Sequence, residues 1–184
     1  YDLSKNDKLD SLLFDGVDIS NLKVTSNTMR LLSLKHGIYT NASLNNIHVR
    51  HIDIENSDAA DDELIINNKA IQRLSIETNA DNNKPFKLIN VANSSLHKLY
   101  VVETSMEQRT LKKVILNENI DTLTIGGYVS RGDVPQQSVE LVGLSRLNRL
   151  KRLSYNPAFS PIATKDLPKN IEELYIGGSG NVPY

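Results

Sequence analysis

The chain has 184 residues, with 21 Lys and Arg against 22 Asp and Glu, a net charge of −1 and 39% hydrophobic residues. That suffices for one domain with a sizeable core, and it excludes the basic excess of a general nucleic-acid or anionic-membrane binder. The absence of cysteine removes disulfides, thiolate metal sites and a cysteine nucleophile, and without an apolar run of about 18 residues no membrane insertion is expected.

Taken in order, the chain repeats one pattern: apolar-x-x-apolar-x-apolar. Copies begin at Leu9 (LDSLLF), Met29 (MRLLSL), Val49 (VRHIDI), Ile71 (IQRLSI), Leu96 (LHKLYV), Ile120 (IDTLTI), Leu150 (LKRLSY) and Ile171 (IEELYI), at steps of 20, 20, 22, 25, 24, 30 and 21 residues. The last two apolar positions of each copy alternate with polar ones, as in a short strand with one buried face. The first sits where the chain turns into that strand. A unit this short cannot bury its face alone, so successive units must stack and pair as a parallel sheet. The expected fold is a mainly β solenoid of about eight repeats, one domain over residues 1–184, with a parallel concave sheet. Only eight residues follow Ile176 and no polar cap is evident, so the array is expected to belong to a longer protein.

A second apolar cluster marks each return path: Leu22 with Val24, Leu44 with Ile47, Leu64 with Ile66, Phe86 with Leu88, Val114 with Leu116, and Val139 with Leu141. These segments are short or β-branched. They predict strands, turns and at most short helices on the convex side, with Leu144–Leu150 (LSRLNRL) the best helix candidate.

If the ladder is buried, the intervening residues face outward. The central units then present His51, Asp53, Glu55, Arg73, Glu77, Lys98 and Tyr100, with Arg152 and Tyr175 further along the same face. Exposed Tyr and Arg on a rigid surface are the usual anchors of protein contacts, and mixed charge supplies orientation. The competing reading is a solvated face carrying cross-strand ion pairs such as Arg73 with Asp53.

Catalytic signatures are absent: there is no GxSxG, HExxH, Walker or GxGxxG pattern, and no catalysis, cofactor or metal is expected. In "HVRHIDIE", His51, Asp53 and Glu55 share a face but diverge as strand neighbours, while His48 has the opposite parity. His36 and His97 lack a partner at ligand spacing, and "IGGSGN" reads as a loop. Arg131-Gly132-Asp133 forms an RGD tripeptide outside the ladder, and Asn41-Ala42-Ser43 and Asn93-Ser94-Ser95 are glycosylation sequons, relevant in a eukaryotic secretory pathway.

The LxxLxL segments resemble those of leucine-rich repeats over nearly the whole chain, from Leu9 to Ile176. Leu111–Tyr128 looks like the repeats of bacterial surface proteins of the BspA type, and Ala158–Gly178 is similar to an FNIP-type repeat, with Phe159, Pro161, Ile162, Leu167 and Pro168 in matching places. The Asn that common repeats carry three residues after the last strand leucine is matched only by Asn79, so the likeness is to a divergent subclass. The resemblance implies a curved leucine-rich-repeat array acting as a binding scaffold. The expected partner is a protein, with a microbial surface or secreted setting. The alternatives are a carbohydrate-binding or carbohydrate-active solenoid, for which Asp53, Glu55, Glu77, Tyr100 and Tyr175 are the candidates for glycan contact, and a spacer between flanking domains.

Overall fold

A computed structural model describes residues 1–79, 84, 86–105, 109–129 and 138–177. The RGD tripeptide lies outside these residues, as does "IGGSGN" beyond its first two.

All eight copies of the pattern become neighbouring strands of one parallel sheet. They are β1 (Ser11–Asp15), β2 (Leu31–Lys35), β3 (His51–Glu55), β4 (Arg73–Asn79), β5 (Lys98–Ser105), β6 (Thr122–Val129), β7 (Arg152–Tyr155) and β8 (Glu173–Ile176), paired in chain order. The register keeps the copies aligned, with Leu12, Leu32, Ile52, Leu74, Leu99, Leu123, Leu153 and Leu174 in one row. The protein is therefore a β-solenoid in which each coil contributes one strand to this sheet. The same in–out geometry recurs in every coil, so one spacing in the sequence is enough to specify the whole row.

From β2 to β7 all three inward rows are buried, from Met29, Leu32 and Leu34 through to Leu150, Leu153 and Tyr155. The terminal coils differ from expectation. Leu9, Leu12 and Phe14 are only partly buried, while Leu174 and Ile176 are 46% and 55% exposed. The physical reason is that each strand is covered by the coils on both sides, and an end coil has one neighbour.

The return paths build a second parallel sheet in the later coils, ordered Glu140–Val142, Lys113–Ile115, Leu88–Asn90, Glu63–Ile65. Its inward row is Leu64, Ile89, Val114 and Leu141. In the fourth coil the residue in that row is thus Ile89, 1% exposed, rather than Leu88. The two sheets close over one contiguous apolar core.

Helix falls elsewhere than the sequence predicts. Leu144–Leu150 yields a single 3-10 turn at Leu144–Arg146, and the α-helix among the described residues is α1 (Asn41–Asn45). Thr40 caps it with a reciprocal box: its side chain accepts from the Ser43 N–H, and Ser43 Oγ accepts from the Thr40 N–H. One helical turn puts Asn41 and Asn45 on the same side, facing the edge of the second sheet. Asn41 Nδ2 donates to Glu63 O (2.8 Å) and its Oδ1 accepts from Ile65 N (2.8 Å). Asn45 Nδ2 donates to Ile65 O (2.6 Å) and its Oδ1 accepts from Asn67 N (2.9 Å). Two side-chain amides thus stand in for the missing strand and protect the edge. Asn45→Ala strands one carbonyl and one N–H, and is expected to cost about 1 kcal/mol in denaturant unfolding. An unchanged midpoint would show that water serves the edge equally well. Because Asn41 is committed to this edge, the exposed Asn93 is the more accessible of the two sequon asparagines.

Polar side chains also sit at the turns into the ladder. Ser26 Oγ donates to Leu9 O (2.8 Å), Asn68 Nδ2 to Leu44 O (3.2 Å), and Asn117 Nδ2 to Ser94 Oγ (2.8 Å). They bond backbone or neighbouring side chains from a position three residues before the first ladder residue of the next strand.

Candidate functional site

The outward face of the main sheet carries the three rows the pattern predicts. The first reads Ser11, Leu31, His51, Arg73, Lys98, Thr122, Arg152 and Glu173, and the second Leu13, Ser33, Asp53, Ser75, Tyr100, Thr124, Ser154 and Tyr175. His51, Asp53 and Glu55 on β3, Arg73 and Glu77 on β4, and Lys98 and Tyr100 on β5 therefore share three adjacent strands. At about 4.8 Å per strand they span about 10 Å. Arg152 and Tyr175 lie apart from them, on β7 and β8. Arg152 Nε is engaged with Glu173 (3.1 Å), and Tyr175 is 42% exposed.

At the centre the Arg73 guanidinium lies over the Tyr100 ring, 4.8 Å from its centroid. This contact holds a planar fork of donors in a fixed orientation on a rigid sheet. The Arg73–Asp53 ion pair named under the competing reading does not form. Asp53 Oδ1 and Arg73 Nε are both shielded from solvent without a hydrogen-bond partner. The reason is competition: Tyr100, the neighbour on the other side, takes the guanidinium. Ion pairs on this face include Lys35 with Glu55 and Arg152 with Glu173, and the Glu55 carboxylate raises the Lys35 pKa.

His51 beside them is held below its usual pKa, first by burial and then by the positive charge of Arg73, with Asp53 pulling the other way. The local balance is thus cationic. His36 and His97 do find partners, though from neighbouring coils rather than at short spacing: Asp15 (3.0 Å) and Asp121 (3.6 Å). Among the described residues no group of three or more His, Asp or Glu side chains is arranged to hold a metal, and no helix is long and apolar enough to cross a membrane.

A groove of about 790 Å³ opens where the chain turns into the later strands, lined by His97, Asn119, Asp121, Asn148, Lys169 and Glu172 among others, with no Tyr, Phe or Trp side chain. The glycan candidates Asp53, Glu55, Glu77, Tyr100 and Tyr175 lie outside it, and Tyr100 and Tyr175 are three strands apart. That groove therefore does not unite the acids and aromatics that a sugar site would need.

Sequence reasoning missed two features. Each coil presents two outward residues before its first strand leucine, so Arg30, Arg50 and His97 adjoin the face. The doubled x of the repeat was the signal. The other is two buried ionisable residues, Glu103 and Arg109, 2% and 5% exposed. Glu103 continues the inward alternation of Leu99 and Val101 two residues beyond the ladder, which the unbroken strand "KLYVVETS" foreshadows.

Compared with protein-family models, the chain matches none, and comparisons with curated proteins and with solved structures likewise find no match.

Proposed function

We propose that this solenoid is a non-catalytic interaction module that binds a protein partner through the outward face of β3–β5. The observation that carries this reading is Arg73 stacked on Tyr100 at the middle of a rigid sheet, between the charged side chains of β3 and Lys98. Arg and Tyr held in low-entropy positions are the residue types that dominate protein contacts. The unpartnered Asp53 Oδ1 and Arg73 Nε add to it, since polar groups left unsatisfied cost stability and accumulate where a surface serves something other than folding. The likeness of Leu111–Tyr128 to surface-protein repeats supports a microbial surface or secreted setting.

The test is a photo-crosslinking side chain at Ser75, in the centre of the face, against one at Asn67, exposed on the return side. A saturable protein adduct from Ser75 alone, lost in the Arg73→Ala, Lys98→Ala, Tyr100→Ala triple variant, is expected. Equal adducts from both positions, or persistence in the triple variant, would overturn the reading. Glycan-array binding without a protein adduct would favour the carbohydrate alternative.

A further inference from the structure

The two outward residues at the start of each main-sheet strand form an edge whose charges sort themselves by coil. In the outer coils they are mutually neutralised: Arg30 with Asp10 (3.0 Å), Lys151 with Glu172 (2.9 Å) and Arg152 with Glu173 (3.1 Å). His97 faces Asp121. Arg50, Arg73 and Lys98, on three consecutive coils, have no ion pair among the described residues. No acid occupies either of these two positions in their coils: the residues are Arg50 and His51, Gln72 and Arg73, His97 and Lys98. Four residues further along the same strands the sign reverses, with Glu55 on β3 and Glu77 on β4, about 13 Å away at strand rise. The centre of the face thus carries a short basic edge, while Glu55 at the far end of β3 is paired with Lys35.

We propose that this edge docks an acidic segment of a protein partner, lying across the strands with its carboxylates against Arg50, Arg73 and Lys98. The proposal rests on the reading of this face as a protein-contact surface and names what the partner brings to it. Charge complementarity selects the occupant. Three cations within about 10 Å match carboxylates spaced over three or four extended residues, each about 3.3 Å long. The Arg73 fork, steadied by Tyr100, suits bidentate carboxylate pairing. A long uniform polyanion is a poor fit, because running on across the strands it would meet Asp121 on the same edge in the next coil, and the chain as a whole carries net charge −1. A short acidic stretch flanked by uncharged or basic residues avoids that repulsion and reaches Tyr100 with its neighbouring side chains.

The probe is a fluorescein-labelled GSEEEESG peptide, followed by anisotropy at low ionic strength, with GSKKKKSG, heparin and polyphosphate as comparisons. The acidic peptide should bind, weaken as salt is added, and lose at least about tenfold in affinity in the Arg50→Glu, Arg73→Glu, Lys98→Glu variant. The Lys23→Glu, Lys69→Glu, Lys112→Glu variant, with the same change in net charge at exposed lysines elsewhere, should bind as the wild type does. If the triple reversal does not fold, Lys98→Glu alone, on a fully formed strand with an exposed side chain, is expected to weaken binding in the same direction. Undiminished binding, equal loss in both triple variants, or stronger binding of heparin or polyphosphate than of the peptide would each overturn the proposal. A Ser75 adduct that survives charge reversal sinks the acidic segment and leaves the protein-contact reading standing. Peptide binding without any Ser75 adduct does the opposite.

Discussion

Arg109→Ala is expected to destabilise the protein by roughly 3 kcal/mol at neutral pH, because it strips two carbonyls of a charged donor and leaves the buried Glu103 without a nearby cation. Glu103 is placed in the core by β5, which runs beyond the ladder and keeps its alternation. Its Oε1 accepts from Thr110 N (2.9 Å) and Leu111 N (3.2 Å), and its Oε2 also accepts from Leu111 N (3.1 Å). Arg109, in the same turn, lies over the Phe159 ring at 4.2 Å and donates to Ala158 O (3.2 Å) and Phe159 O (3.4 Å). Arg109 thus ties the fifth coil to the turn after β7, some fifty residues away. Burial raises the Glu103 pKa above its ordinary value of 4.5, while the two backbone N–H groups and then Arg109 hold it down.

The pH dependence follows in sign. A raised folded-state pKa means that the folded protein binds the proton more tightly. The stabilisation this group contributes is complete below its unfolded pKa and is lost as pH rises through the folded one. Without Arg109 the folded pKa moves higher still. The cost of Arg109→Ala should therefore shrink as pH falls from 7 toward 4, where a protonated Glu103 no longer needs a cation, and Glu103→Gln in the same background should recover part of the loss at pH 7. Urea unfolding of the variants at the two pH values decides the matter. A cost independent of pH would mean that Arg109 acts through contacts other than its charge on Glu103.

Gly127→Ala is expected to be at least as damaging, about 3–5 kcal/mol, from overpacking together with backbone strain. A Cβ there would lie 1.9 Å from the Glu103 carbonyl oxygen and 2.7 Å from Phe159 Cε2, at a φ of +151°. The obstacle on one side is backbone of the paired strand, which cannot swing aside as a flexible side chain could. Asn156 adds to the constraint, since its Nδ2 donates to Gly127 O (2.8 Å) and its Oδ1 accepts from Ala158 N (2.9 Å). Gly16→Ala is the natural control. Its φ is +66° but nothing lies within 4 Å of the added carbon, so only the conformational penalty of about 1 kcal/mol applies. In a stacked array the damage should also be directional: hydrogen exchange in β7 and β8 should accelerate more than in β2 and β3. Equal stability losses for the two glycines would show that the close approach at Gly127 relaxes freely.

The contrast between the two glycines shows where sequence reading reaches its limit. Both lie two residues beyond the last ladder residue of their coil, Phe14 and Ile125, and position in the repeat does not separate them. What separates them is Phe159, thirty-two residues further along, folded over one and not the other. The same holds on the candidate face. Periodicity alone assigned His51, Arg73 and Lys98 to one row and Asp53 and Tyr100 to the next, and the strand register bears this out. It could not say that Arg73 turns to Tyr100 and leaves Asp53 without it, since both lie within reach and rotamer and packing choose between them.

The stack of coils, the inward rows and the parallel pairing were legible because every coil repeats one backbone geometry, and a side chain's direction then depends only on its place in the repeat. The exposed rows of the last coil, the asparagine-covered sheet edge at α1, the buried Glu103 with Arg109 and the sorting of charge along the basic edge came from packing. Each depends on groups brought together from neighbouring or distant coils, and their energies are settled by burial, distance and competition for partners. Those quantities exist only once the chain has closed on itself.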